Sequence, residues 1–265
     1  MKFGLIFRHY LKRNFKTIEN LGAMLLLPIV IILLFAFINS HNAGDNNLYF
    51  YGFNIVHTSL VFGNMLFFQI FGLFYSMENL HEALSTSAQW RLKATPVNPL
   101  IFPFAALLAG WVVTLLSAVI VVVVTAIILN VYFGSLLITA LTVIAVSLFA
   151  QALGVIIFLL TKNVGQGNAI GYPLSFFIGG LSGFIIPITA LLDNGFTRFL
   201  ERWSPLNLGI DSIWFGGRFG SIDLTHQTYT GTDMSLAIQN IAVILAIAVG
   251  LGLIGFVVGK VKKKW

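Results

Sequence analysis

The chain has 265 residues and no cysteine, which removes disulfide frameworks, thiolate metal sites and thiol nucleophiles from its chemistry. Charge is scarce as well. Asp, Glu, Lys and Arg make up 9% of the residues and apolar types 58%, where soluble globular chains carry about 25% charged residues. With a mean hydropathy of +0.92, a water-soluble enzyme domain is excluded. No G-x-x-x-x-G-K-[ST] loop occurs, and the nearest string, Gly259-Lys260-Val261, lacks the hydroxyl residue that such a phosphate cradle needs. The chain is therefore not expected to bind or hydrolyse ATP in that manner. Its five histidines, His9, His41, His57, His81 and His226, form no H-E-x-x-H spacing and no cluster with carboxylates, so neither a metal site nor a catalytic residue is expected.

What is present is length without charge. Six stretches contain no Asp, Glu, Lys or Arg: Leu21 to Ile38, Val56 to Tyr75, Leu100 to Leu129, Ser135 to Leu160, Gly171 to Leu192 and Met234 to Gly259. About 20 apolar residues cross a bilayer core as a helix, and only helices or closed barrels satisfy the backbone there. The expected fold is an all-α polytopic membrane protein with six transmembrane helices. An even number puts both termini on one side, and cations choose the side. Twelve Lys and Arg fall on the side of the termini and three, Arg198, Arg202 and Arg218, on the other, so both termini are expected in the cytoplasm. The formal charge of +6 is then a topology signal, and no nucleic-acid partner is implied.

Residues 1–20 form a basic amphipathic prelude. Phe3, Phe7, Tyr10, Leu11, Phe15 and Ile18 recur at helical steps, with Arg8, Lys12 and Lys16 on another stripe, the pattern of an interfacial helix on the lipid surface. No small-residue cleavage site follows the first apolar run. Two connections are long enough to carry structure. The inner one, 76–99, has a helix-compatible body from Glu78 to Lys93 that Pro96 and Pro99 end. In the outer region, 184–233, Pro187, Gly195 and Pro205 cut the chain into pieces too short to span, which suits re-entrant helices. The fifth span is consequently expected to run from about Asn163 to Gly183. No repeat and no domain boundary interrupts residues 1–265, so one membrane domain is expected.

Polar residues inside the spans are few. They are Asn64, Gln69, Gln151, Gln239 and Asn240; Asn64 and Gln69 suit either hydrogen bonds between helices or a substrate path, and Phe62, Phe67, Phe68, Phe71 and Phe74 suit either lipid-facing bulk or an aromatic substrate surface. Gly180-Leu181-Ser182-Gly183 is similar to the G-x-S-G of rhomboid intramembrane proteases, yet the last span holds no histidine to serve as base. Close helix packing accounts for these small residues, and for Gly167-x-x-x-Gly171 and Gly255-x-x-x-Gly259.

Three strings in order then resemble the permease subunit of half-size, six-span type-2 ABC exporters: Leu92-Lys93-Ala94-Thr95-Pro96-Val97, Leu181-Ser182-Gly183-Phe184-Ile185-Ile186-Pro187, and Ser204-Pro205-Leu206-Asn207 running on through Ile210-Asp211-Ser212-Ile213-Trp214. Where the family usually has an acidic residue and a Gly-Thr pair before T-P-V, this chain has Ser87, Ala88, Gln89 and Trp90. The resemblance implies a dimer, with itself or a sibling permease, in the cell membrane of a bacterium. A separate ATP-binding cassette subunit, carrying ATP and Mg, would dock on the amphipathic start and the coupling segment, with Glu78, Glu82, Trp90, Arg91 and Lys93 as candidate contacts. Asn64, Phe67, Gln69 and Phe71 become candidates for the translocation path, and Phe184 and Pro187 for an outer gate. The implied cargo is amphipathic: a drug, an antimicrobial peptide or a lipid-linked molecule. The alternative is a non-transporting immunity or sensor subunit that binds a peptide or partner.

Overall fold

The computed structural model of the chain describes residues 2–16, 22, 26–42, 49–50, 53–85, 101–182, 194–217, 222–223, 228–229 and 233–261. The helices are α1 (Lys2–Lys16), α2 (Leu27–Asn42), α3 (Ile55–Ile70), α4 (Gly72–Ser85), α5 (Ile101–Leu129), α6 (Leu136–Leu160), α7 (Val164–Leu181), α8 (Gly195–Trp203), α9 (Pro205–Gly216) and α10 (Met234–Val261). Two antiparallel ladders of two residues each interrupt the helical pattern: β1 (Tyr49–Phe50) with β2 (Phe53–Asn54), and β3 (Ile222–Asp223) with β4 (Thr228–Tyr229). They close hairpins and leave the protein a helical one.

Four helical stretches are long and apolar enough to cross a membrane: His57–Leu84, which joins α3 and α4, Ile101–Leu129, Leu136–Leu160 and Met234–Lys260. The expected first and fifth spans are weaker on this measure. The described apolar helix of the first covers only Leu27–Ile38. The 18 residues of α7 reach ~27 Å at 1.5 Å per residue, just short of a hydrocarbon core of ~30 Å, and Gln166, Asn168, Pro173 and five glycines dilute its hydropathy. Its bounds nevertheless match the expected fifth span, because Asn163 caps it by accepting from Gln166 N at 2.9 Å.

Helix ends follow local chemistry throughout. Ser135 opens α6, and Asn194 with Thr197 forms a reciprocal capping box at α8. Asp233 opens α10, where the Leu236 N–H and then the Ser235 hydroxyl hold its carboxylate below the usual range. The turn between α5 and α6 needs two left-handed residues, Asn130 at φ 50° and Gly134 at φ 59°. At Gly134 a Cβ would also lie 2.5 Å from Gly217 Cα, so both the backbone and its neighbour require glycine there.

At the centre lies α6, packed against α3, α4, α5, α7, α9 and α10. The second span is the most enclosed of the four, with 83% of its apolar window buried. One core cluster runs from Ile32 through Phe62, Leu66, Ile70, Leu73, Met77 and Leu80 to Ile157, Phe158 and Ile244. Small residues let α4, α6 and α7 approach. A Cβ on Gly154 would collide with the carbonyl oxygen of Leu73, one on Gly167 with Met77 Sδ, and one on Gly171 would sit 2.7 Å from Phe74. The packing role expected of Gly167 and Gly171 is thus met, whereas nothing lies within 4 Å of a Cβ on Gly180.

The inner boundary of the second span needs correction. The charge-free stretch ends at Tyr75, but the helix continues to Ser85 with Ser76, Met77, Asn79, Leu80 and His81 buried. Glu78 and Glu82 therefore belong to the second span's helix and do not begin a separate one. Charge-free length under-reads this helix because its polar groups find partners in α1, α5 and α6.

Candidate functional site

The second span is two helices joined at Phe71. There the ladder tightens to three-residue steps, Phe71 N to Phe68 O at 3.2 Å and Phe74 N to Phe71 O at 3.1 Å, and α4 continues from Gly72. The Gln151 amide of α6 fills the break, donating to Gly72 O at 3.3 Å and accepting the Ser76 hydroxyl. A side chain at 72 would meet Thr114 Cγ2 at 2.8 Å. A polar seam then continues down α4. Asn79 donates to Ala106 O of α5 at 3.1 Å, and His81 bonds Thr161 at the end of α6 at 3.3 Å, with its ring edge-on to Phe158. Each such bond between helices contributes about 1 kcal/mol net, and leaving a partner buried and unpaired costs more.

Below the seam, α1 lies against α5 and the inner end of α4. Tyr10 is buried with Ala83, Ala106 and Ala109, flanked by Ile6, Phe7 and Leu11. Burial pushes the Tyr10 phenol up, which the Arg13 charge partly offsets. Arg13 forms an ion pair with Glu82. Burial lowers the guanidinium's pKa, and Tyr10 and Glu78 work against that shift. Arg8, Lys12 and Lys16 remain exposed. The amphipathic face of α1 is therefore spent largely on protein and only partly on lipid, while its cationic stripe stays outward.

At the opposite end, α8 and α9 fold back on the bundle. Phe62 of α3 packs on Phe133 of the α5–α6 turn and on Trp214 of α9, both at 5.6 Å between ring centres. Asp211 of α9 is largely enclosed. Burial, and then the nearby Glu201 charge, raise its carboxyl to about 6.

The candidate path residues fall into two groups. Asn64 is turned onto its own helix, donating to Leu60 O at 2.9 Å. Gln69 reaches Ser117 of α5 at 3.5 Å, and its buried Oε1 has no hydrogen-bond partner among the described residues. Phe67 and Phe71 belong to an aromatic strip that runs through Phe68 and Phe74 to Phe176 and Tyr172 of α7. The α7 end of the strip is open, with Phe176 56% and Tyr172 49% exposed. Of the coupling candidates, Glu78 and Glu82 face α1, whereas Trp90, Arg91 and Lys93 lie outside the described residues, as do the gate candidates Phe184 and Pro187. Ser182 of the rhomboid-like string donates to Gly179 O at 2.5 Å and so closes α7. Among the described residues no group of three or more His, Asp or Glu is arranged to hold a metal.

Sequence reasoning missed Ser76, Asn79 and His81 as parts of the seam. For Ser76 and Asn79 the signal was available in the spacing, since 72, 76 and 79 share one helical face with Leu73, Leu80 and Ala83, whereas His81 lies on the opposite face. It was overridden by the acidic residues between them. A search of curated proteins found no match to the chain. The sequence profile of the ABC-2 type transporter family matches residues 1–215. With a helical membrane bundle behind an amphipathic first helix, and with more than three quarters of its length matched, the chain belongs to the ABC-2 type transporter family as a permease subunit.

Proposed function

We propose that this permease exports an amphipathic cargo, such as a drug, an antimicrobial peptide or a lipid-linked molecule, in complex with a separate ATP-binding cassette subunit and a second permease. Members of the family generally work with an ATPase subunit, and the chain itself lacks a phosphate-binding loop. The observation that carries the reading is the attachment of α1 to α4. Arg13, Tyr10 and the apolar residues beside them tie the surface helix to the inner half of the most enclosed span. A force applied by a cassette at α1 or at residues 86–100 would then be delivered to α4. From there it would reach the aromatic strip through Phe74 and Phe71.

In this reading the inner surface is cytoplasmic, with both termini there, and Arg91 and Lys93 supply cations to the docking segment. Phe67, Gln69 and Phe71, with the open face of α7, contribute to the cargo path between two permeases, and Phe184 and Pro187 contribute to its outer gate. The aromatic strip favours a flat or greasy cargo surface over a strongly charged one. The test is ATP hydrolysis by the reconstituted complex with and without candidate amphiphiles. Phe71→Ala should lower cargo-stimulated hydrolysis by several fold while leaving basal hydrolysis within twofold. Equal loss of both would return Phe71 to a packing role.

A further inference from the structure

On the face of the bundle away from the aromatic strip, α5, α6 and α10 enclose an apolar groove. Two adjoining open hollows of about 390 and 480 Å³ share Phe104, Leu107 and Val155 in their walls and lie end to end along α10. Small residues make the room, since Ala152, Ala248 and Gly252 stand where larger side chains would fill it. On α10 the groove runs from Leu245 to Phe256, eleven steps or ~16 Å along the helix. That is about the depth of one leaflet, half of a ~30 Å hydrocarbon core. Its two polar wall groups are already engaged: the Trp111 indole donates to Ser147 at 2.8 Å and the Gln151 amide is held by Ser76 and Gly72. The groove therefore offers an occupant only apolar contact.

The inner mouth is different. Phe3 of α1 forms its lower wall, 6.0 Å from Phe104 between ring centres. Lys260 is exposed one helical turn beyond Phe256 and two beyond Gly252, on the same face of α10. None of α1, α5 and α10 contains an Asp or Glu, and the exposed cations Arg8 and Lys12 lie on the stripe of α1 roughly opposite Phe3, away from the groove. Arg13, the cation of α1 that does have an acidic partner, is paired with Glu82. A second copy packed on this face would bring its own Lys260 to the mouth, with no acidic residue on α1, α5 or α10 to receive it. An anionic headgroup would be attracted, by about 1 kcal/mol per Lys or Arg near a membrane surface.

We infer that this groove binds one acyl chain of an anionic phospholipid from the leaflet in which α1 lies, with the headgroup at Lys260. Bound there, the lipid bridges Phe3 to α10 and holds α1 in place. The site does not depend on the cargo or the ATPase, so it stands or falls separately from the proposed function.

The chain can be placed in nanodiscs containing a trace of phosphatidylglycerol, or of phosphatidylcholine, each with a photoactivatable group on the acyl chain, and the labelled peptides identified by mass spectrometry. We expect the 245–256 and 104–108 regions to be labelled at least threefold more by phosphatidylglycerol. Gly252→Leu should plug the groove and reduce that labelling at least fivefold. A Cβ at 252 meets nothing within 4 Å, so the variant is expected to fold. Gly250→Leu, also open at Cβ but not lining the groove, should label like wild type. Lys260→Gln should reduce the preference for phosphatidylglycerol without abolishing labelling. Equal labelling by the two lipids, unchanged labelling of Gly252→Leu, or no label in these regions would each overturn the inference.

Discussion

Breaking the Arg13–Glu82 pair should loosen α1 from α4 without unfolding the bundle. The two side chains are 31% and 36% exposed, between the surface pairs worth ~0.2–1 kcal/mol and the buried pairs whose disruption costs ~3–5 kcal/mol. Two unit charges in contact gain ~4 kcal/mol at an effective dielectric of 20. Burial of the guanidinium, which pushes its pKa down, works against this gain. Truncating either partner, as Arg13→Gln or Glu82→Gln, is therefore expected to cost ~1–2 kcal/mol in the docked state, a factor of about 5 to 30 in the docked-to-released ratio. The absence of native cysteine makes the measurement direct. Spin labels on Lys12→Cys and Lys162→Cys, both exposed positions, report the distance from α1 to the α6–α7 turn. We expect a narrow distribution for the paired protein and a broad one for each truncation, with narrowing recovered in Arg13→Glu/Glu82→Arg. Unchanged distributions in both truncations, or a reversed pair as broad as the singles, would refute the clamp.

Other substitutions test the packing and the seam. Gly154→Ala should lower stability by at least ~1–3 kcal/mol, since its Cβ would meet the backbone of Leu73 and lie 2.7 Å from Ser76 Cβ, whereas Gly180→Ala should leave the melting temperature within about a degree. Gln151→Leu strands the Gly72 carbonyl and the Ser76 hydroxyl, for ~1–3 kcal/mol, again read by thermal melting. Asp211 has its carboxyl raised from 3.8 to about 6 in the folded protein, so ionisation destabilises the fold. The penalty is complete above pH 6 and disappears as pH falls towards 4. Asp211→Asn should accordingly stabilise by up to ~2–3 kcal/mol at pH 8 and by almost nothing at pH 4, and an advantage that did not shrink with acid would contradict the burial of this group.

Charge-free length located α5, α6 and α10 to within two residues, because in these helices the apolar run and the helix coincide. The breaks at Pro187, Gly195 and Pro205 shifted the expected fifth span back to start near Asn163, and the structure supplies the reason for that start in the Asn163 cap. The method failed where a helix carries polar residues that are satisfied by neighbours. Glu78 and Glu82 made the inner third of the second span read as part of a separate cytoplasmic helix from Glu78 to Lys93, although partners in α1, α5 and α6 make the burial of Ser76, Asn79 and His81 affordable. The same effect placed the buried His81 outside the expected span. At the site, the sequence supplied the aromatic residues but not their division. Periodicity alone does not show that Asn64 folds onto its own helix while Phe71 reaches α7, because that depends on the break at Gly72 and on the Gln151 side chain from 79 positions away.

The most direct test of the whole account is coexpression of this chain with a candidate ATP-binding cassette protein from the same genome, followed by purification in detergent and assay of ATP hydrolysis. The account predicts a stable complex that hydrolyses ATP, and weaker association when Arg91 and Lys93 are both replaced by Glu. A folded permease that elutes alone, with no hydrolysis above background, would contradict it and turn attention to an immunity or sensor role.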